Sequence, residues 1–176
     1  KTNIHFLLSK NSFVKALGIL FGDDVWQKKI HAKDLNAIVF LLFKPQGRAR
    51  NLDWGLSDEY LKSFCHGVFD KKFSVLRMAR GMPYKLGMDS CLVNKVKRVG
   101  VKLTKREEES MDTCEGARMS VYISPDMKMI PCSFGGSEHG ISLRGKSIKE
   151  VWDKGESFLK FREQLMWNAA SCPFEL

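Results

Sequence analysis

The side chains best able to do chemistry in this sequence are its five cysteines: Cys65, Cys91, Cys114, Cys132 and Cys172. A thiolate is both a nucleophile and a metal ligand. The count is odd and no secretory signal is visible. A disulfide framework is therefore disfavoured, and a metal site plus one spare thiol in a cytoplasmic protein is expected. Spacing alone says little, because Cys91, Cys114, Cys132 and Cys172 are separated by 23, 18 and 40 positions and no pair forms a CxxC. Position says more. Cys114 and Cys132 flank a predicted hairpin that would bring their side chains together, while Cys91 and Cys172 lie in predicted loops able to reach the same place. Cys65 falls mid-helix among apolar residues and reads as a buried free thiol. The competing reading of all five is that they are small buried hydrophobes.

Other reactive side chains carry less. His5 lies inside an apolar strand and reads as a hydrogen-bonded core residue, and His31, His66 and His139 show no ligand spacing. Trp152 and Trp167 read as core. No phosphate loop, Ser-His-Asp arrangement or nucleic-acid motif is present.

The elements that must position these residues fall into two textures. Residues 2–8 read as a buried strand, followed by Asn11 or Ser12 as a helix cap and a stripe of Phe13, Val14, Leu17, Leu20 and Phe21. Gly22-Asp23-Asp24 interrupts that helix, and a short amphipathic piece through Trp26 and Ile30 follows. Residues 36–43 are apolar without alternation, which suits a parallel strand covered on both faces. Lys44-Pro45-Gln46-Gly47-Arg48 ends it. A helix capped near Ser57 carries Tyr60, Leu61, Phe64, Val68 and Phe69, and residues 73–76 read as a third strand. The order strand–helix–strand–helix–strand predicts an α/β fold with a parallel sheet. Three strands are few for such a sheet, so this half is expected to be a piece of a larger sheet or barrel.

After Gly87 the pattern changes. Residues 91–113 are charged and weakly periodic and read as irregular. Residues 117–123 and 127–131 form the predicted hairpin about Ser124-Pro125-Asp126. Ser147 caps a short helix through Ile148, Val151 and Trp152. Residues 156–167 form a second helix with Phe158, Leu159, Phe161, Leu165 and Met166 on its apolar side.

The chain has 176 residues and a mass of 20.1 kDa, enough for one ordinary domain or two small ones. At 44 % hydrophobic and 28 % charged it is globular rather than disordered. Its longest apolar run, residues 37–43, is far short of the roughly 20 residues a membrane helix needs, so no membrane partner is expected. The net charge is +9, with 15 basic against 8 acidic side chains in residues 1–90. Such a surface attracts acidic partners, or simply keeps the protein in solution. The sequence starts at Lys1 rather than Met, as a processed product or a fragment would.

The stretch Cys114-Glu-Gly-Ala-Arg-Met-Ser-Val-Tyr-Ile-Ser-Pro-Asp-Met-Lys-Met-Ile-Pro-Cys132-Ser-Phe resembles the hairpin of the SPASM/twitch domains of radical SAM enzymes. In that family a Cys–small–Gly segment leads into a strand ending Ile-x-Pro-Asp-Gly, and the return strand ends Pro-Cys. Ser147-Ile-Lys-Glu-Val-Trp152 resembles the helix that follows there, and Phe158, Arg162 and Cys172 resemble its ending. Asn3-Ile-His-Phe-Leu-Leu-Ser9, the run at 36–43 and Gly87-Met-Asp-Ser-Cys91 are similar to the later strands of the radical SAM partial barrel. The departures are the absent CxxxCxxC loop of the radical cluster, the absent first strands, Met127 in place of the turn glycine, and Cys172 followed by Pro-Phe-Glu-Leu instead of a CxxC.

The resemblance implies two parts: half of a parallel (β/α) partial barrel in residues 1–84, and a small auxiliary-cluster domain of hairpin plus helices in residues 85–176. It implies that Cys91, Cys114, Cys132 and Cys172 hold one auxiliary 4Fe–4S cluster, which needs four thiolates; zinc is the alternative metal. Lys95, Lys97, Arg98 and Arg118 would favour the deprotonated thiols. In this family S-adenosylmethionine is cleaved to a radical that abstracts hydrogen, often from a peptide or protein, and active-site residues lie at strand C-terminal ends. Ser9 and Asn11 are thus candidate S-adenosylmethionine contacts, and Lys44 and Arg48 candidates for its carboxylate or the substrate. Ser9 and Asn11 would otherwise serve only the helix cap, and Lys44 only the strand end. S-adenosylmethionine chemistry would require the N-terminal half of the barrel, from an upstream segment or a separate chain, and this chain would be inactive alone. Two other readings stand beside this one. One is a stand-alone zinc or iron–sulfur adaptor holding peptide or RNA, although no nucleic-acid motif supports RNA. The other is a degenerate relative with a structural role.

Overall fold

Two apolar runs become parallel neighbours, β1 (Thr2–Leu8) and β2 (Leu35–Leu42), registered from Asn3 against Ala37 to Leu8 against Leu42. The computed structural model that shows this describes residues 2–21, 35–72, 84–167 and 172–174. A third strand, β3 (Lys85–Met88), lies on the other side of β2 with Ala37 against Lys85 and Phe40 against Met88. The sheet order is β1-β2-β3, all parallel. β2 is central and exposes none of its residues, as its unbroken apolar run requires. β1 is an edge. It exposes Thr2, Asn3, His5 and Leu7, so the fully buried strand expected there is corrected to a half-covered one, and His5 is not a core residue. The strand expected at 73–76 and the piece through Trp26 and Ile30 lie outside the described residues.

Helix α1 (Phe13–Phe21) buries Phe13, Ala16, Ile19 and Leu20 and leaves Val14 exposed. It lies against α2 (Asp58–Phe69), where a Cβ on Gly67 would come 3.2 Å from Leu20 Cδ1. Ser57 caps α2 by accepting the Tyr60 N–H. Leu61, Phe64 and Cys65 of α2 join Leu8, Ile38, Phe40 and Leu42 in one core, with the Phe40 and Phe64 rings edge to face at 4.9 Å. Residues 91–113, expected to be irregular, contain α3 (Ser90–Arg98) and α4 (Lys105–Glu109). Asp89 caps α3, whose Leu92 and Val96 enter the same core, and Thr104 with Glu107 forms a capping box for α4.

The compact units are Lys1–Asp112 and Thr113–Leu176. The sequence boundary at 84/85 falls earlier because it ignores that β3 pairs with β2 and that α3 packs on the same sheet. In the second unit β4 (Tyr122–Ile123), β5 (Lys128–Ile130) and β6 (Ile141–Ser142) make an antiparallel sheet. The hairpin is shorter than expected, because residues 116–120 close a turn of their own with Gly116 bridged to Ser120. Two helices follow, α5 (Ile148–Lys154), capped by Ser147, and α6 (Glu156–Trp167). α6 buries Phe158, Phe161 and Leu165 against Cys114, Ala117, Met129, Leu143 and Val151. Leu159, Met166 and Trp167, placed on its apolar side or in the core from sequence, are exposed, Trp167 by 83 %. The buried stripe is Phe158, Phe161 and Leu165, spaced i, i+3 and i+7 along one face of the helix. Among the described residues no helix is long and apolar enough to cross a membrane.

Candidate functional site

Three of the four expected ligands belong to the second unit. Cys114 is buried at the mouth of the 116–120 turn, and Cys132 follows β5 after Pro131. Cys172 returns on the segment that ends in Phe174. That ring seats against Gly135, where a Cβ would lie 2.7 Å from it, and stacks near Phe161 and His139 with centroids at 5.0 and 4.6 Å. Both Cys132 and Cys172 are close enough to Cys114 for their charge to bear on its sulfur. Burial pushes the Cys114 thiol above its ordinary pKa, and the two neighbouring thiols push the same way. The Gly116 N–H, hydrogen-bonded to the sulfur, and the Arg118 guanidinium oppose them. Hydrogen bonds to sulfur of this kind tune thiolate ligands.

The turn that presents Cys114 has an unusual backbone. Ala117 has φ +53°, in the left-handed region, and its side chain is fully buried. Its N–H is shared between Pro131 O at 2.9 Å and Ser120 O at 3.0 Å. Its carbonyl accepts from Arg162 Nε at 2.7 Å. Gly116 has no room for a side chain, since a Cβ would sit 2.9 Å from Phe161 Cε1. Met127, where the resembling family has glycine, also adopts a left-handed φ of +60°.

In the first unit Cys91 occupies the first turn of α3, beside a different set of partners. Lys44 donates to Asp89 Oδ2 at 2.9 Å and also hydrogen-bonds the Cys91 thiol. Burial works against the Lys44 charge, but Asp89 and Cys91 outweigh it and hold its pKa above the ordinary lysine value. Asp89 Oδ1 accepts the N–H of Leu92 at 2.9 Å and of Leu42 at 3.2 Å, so one carboxylate ties β2, α3 and Lys44 together. Ser9 and Lys44 follow the C-terminal ends of β1 and β2, as expected. The Ser9 hydroxyl caps a short helical turn with Ser12, Asn11 is exposed in that turn, and Arg48 is exposed after Gly47. Of the expected cations, Lys95, Lys97 and Arg98 lie on α3, with Lys95 donating to Leu56 O at 2.8 Å, and Arg118 acts on Cys114. Cys65 is 1 % exposed on α2, and burial pushes its thiol up to about 12.

Among the described residues no group of three or more His, Cys, Asp and Glu side chains is arranged to hold a single metal ion. Cys132 packs against the small core that contains Cys114, and Cys172 lies within electrostatic reach of the Cys114 sulfur. Asp89 and Gly116 are absent from any reading of the sequence by reactive side chains, although an aspartate just before a helical stretch is a recognisable cap signal. No protein-family model matches the chain, and no curated protein and no solved structure matches it.

Proposed function

We propose that this chain is the C-terminal portion of a radical SAM enzyme, with half of a parallel partial barrel and an auxiliary 4Fe–4S domain, acting on a peptide or protein. The observation that carries this reading is the adjacency of Cys114, Cys132 and Cys172, with a backbone N–H already aimed at one sulfur. Cys91 is the fourth ligand by resemblance alone. In a cubane each thiolate holds its own iron, so the sulfurs stand farther apart than four sulfurs around one zinc. The barrel part is supported by three parallel strands in which β1, the outer member, pairs on one side only among the described residues.

The bound cluster would supply a substrate ligand or an electron relay. The chain's own residues position it: Gly116 donates to Cys114, Arg118 lowers the cost of its charge, and Phe174 holds Cys172 near the hairpin. At the strand ends Ser9 and Asn11 would contact S-adenosylmethionine, and Lys44 and Arg48 would face its carboxylate or the substrate; Asn11 and Arg48 are exposed there, while the Ser9 hydroxyl is engaged by Ser12 and Lys44 by Asp89. The chain lacks CxxxCxxC, so forming the radical depends on an N-terminal half.

Anaerobic purification with assay of iron, acid-labile sulfide and zinc tests this. About four irons and four sulfides per chain are expected, as a cysteine-ligated cubane requires. One zinc without sulfide would replace this reading with the adaptor module, and a metal-free chain would remove the cluster altogether. Production of 5′-deoxyadenosine by this chain alone would contradict the dependence on a second half.

A further inference from the structure

The geometry points to Arg162 as the positioning residue of the thiol site: its guanidinium clamps the turn at 114–117 and so keeps Cys114 beside Cys132 and Cys172. The inference rests on the reading of Cys114 as a working thiolate ligand. A left-handed alanine is strained, because its Cβ crowds the following carbonyl oxygen, so the turn does not keep this shape unaided. Arg162 supplies the restraint. Nε donates to Ala117 O at 2.7 Å, and the second arm of the same rigid fork donates to Trp152 O at 2.7 Å, near the end of α5. The guanidinium lies over the Trp152 ring, 4.8 Å from its centroid, which fixes its plane. The preceding residue, Phe161, fills the space above Gly116, the residue whose N–H meets the Cys114 sulfur. Two consecutive side chains of α6 thus hold two consecutive residues of the turn. Lysine cannot replace this fork, because an ammonium group has no planar pair of donors.

A purely structural role predicts general loosening, whereas a clamp predicts a change confined to the site. The chain provides its own control, since Cys65 is buried in the first unit and belongs to no part of the thiol site. The full chain, purified anaerobically, is pulsed with iodoacetamide at one pH, and alkylation of each cysteine is read by mass spectrometry. Arg162→Gln is expected to speed alkylation of Cys114 by about tenfold or more, on the scale at which outer partners of metal ligands act. Cys65, which holds no part of the thiol site, keeps its wild-type rate. Arg162→Lys is expected to give most of the same effect. Wild-type reactivity of Cys114 in Arg162→Gln overturns the clamp. Should Arg162→Gln label all five together, Arg162→Lys decides, because it keeps one donor: selective Cys114 labelling supports the clamp, and uniform or wild-type labelling overturns it. Iron and sulfide measured on the same samples separate the two failures. A metal-free wild type with selective labelling in the variant removes the cluster and keeps the clamp. A loaded wild type with unchanged labelling in the variant does the reverse.

Discussion

Only 8 % of the Lys44 side chain and 18 % of Asp89 reach solvent, so neither charge is hydrated enough to stand alone. Removing one member of such a pair leaves the other desolvated and unpaired. Asp89→Ala is therefore expected to cost about 3–5 kcal/mol in urea unfolding, more than Lys44→Met, because Asp89 also holds the Leu92 and Leu42 N–H groups. A Lys44→Met, Asp89→Ala double variant that loses the sum of the two single effects would show the pair to be uncoupled. The raised pKa of Lys44 means that its contribution is complete below about 10.5 and is lost as pH climbs through the folded value, so it is flat across neutrality. Cys65 behaves in the same direction. Its folded thiol titrates near 12 against an ordinary 9.0. The folded state holds that proton more tightly, so stability falls as pH rises from 9 towards 12. Cys65→Ala is expected to flatten that slope, and wild-type Cys65 is expected to escape alkylation at pH 8; rapid labelling of the folded chain would contradict its burial.

At the scale of elements, the caps and turns set the shape of the second unit. Ser147 accepts the Glu150 N–H at 3.0 Å, so Ser147→Ala is expected to destabilise that unit by about 1 kcal/mol. Met127 is the opposite case. A left-handed methionine costs about 1–2 kcal/mol, part of which glycine recovers after its own entropy loss. Met127→Gly is expected to raise the thermal midpoint of the second unit, and a lowered midpoint would mean that the Met127 side chain contributes more than its backbone costs. The long elements were legible in the sequence: β2 from its unbroken apolar run, α2 and α5 from their serine caps, and α6 from its length. α3 was not legible, because Leu92, Val93 and Val96 are interleaved with Lys95, Lys97 and Arg98 and only packing on β2 sorts the two faces.

The whole molecule consists of two units of unequal means. The first has a sheet covered by helices and a core of aromatic and aliphatic side chains. The second, Thr113–Leu176, rests on a small core that includes Cys114 itself. A unit of about 60 residues is marginal on burial alone and commonly relies on a metal or another cross-link. Stripping metal from the protein as purified is expected to lower the calorimetric transition of the second unit, which supplies three of the four proposed ligands, more than that of the first. A chelator that moves neither transition would show that the thiols staple nothing.

Legible in the sequence were the α/β class, the parallel central strand, the turn of the hairpin and Cys132 just after its return strand; Cys114 stands eight residues before β4, behind a turn of its own. These follow from local patterns: apolar runs, caps and turn residues act within a few positions. Tertiary packing settled that residues 85–88 join the first sheet, that the units part at Asp112, and that the Phe174 ring seats on Gly135. It alone joined Arg162 to Ala117, 45 residues apart, through a single hydrogen bond. Contacts of that kind depend on how finished elements stack, and no periodicity in the chain records which carbonyl a distant guanidinium will meet.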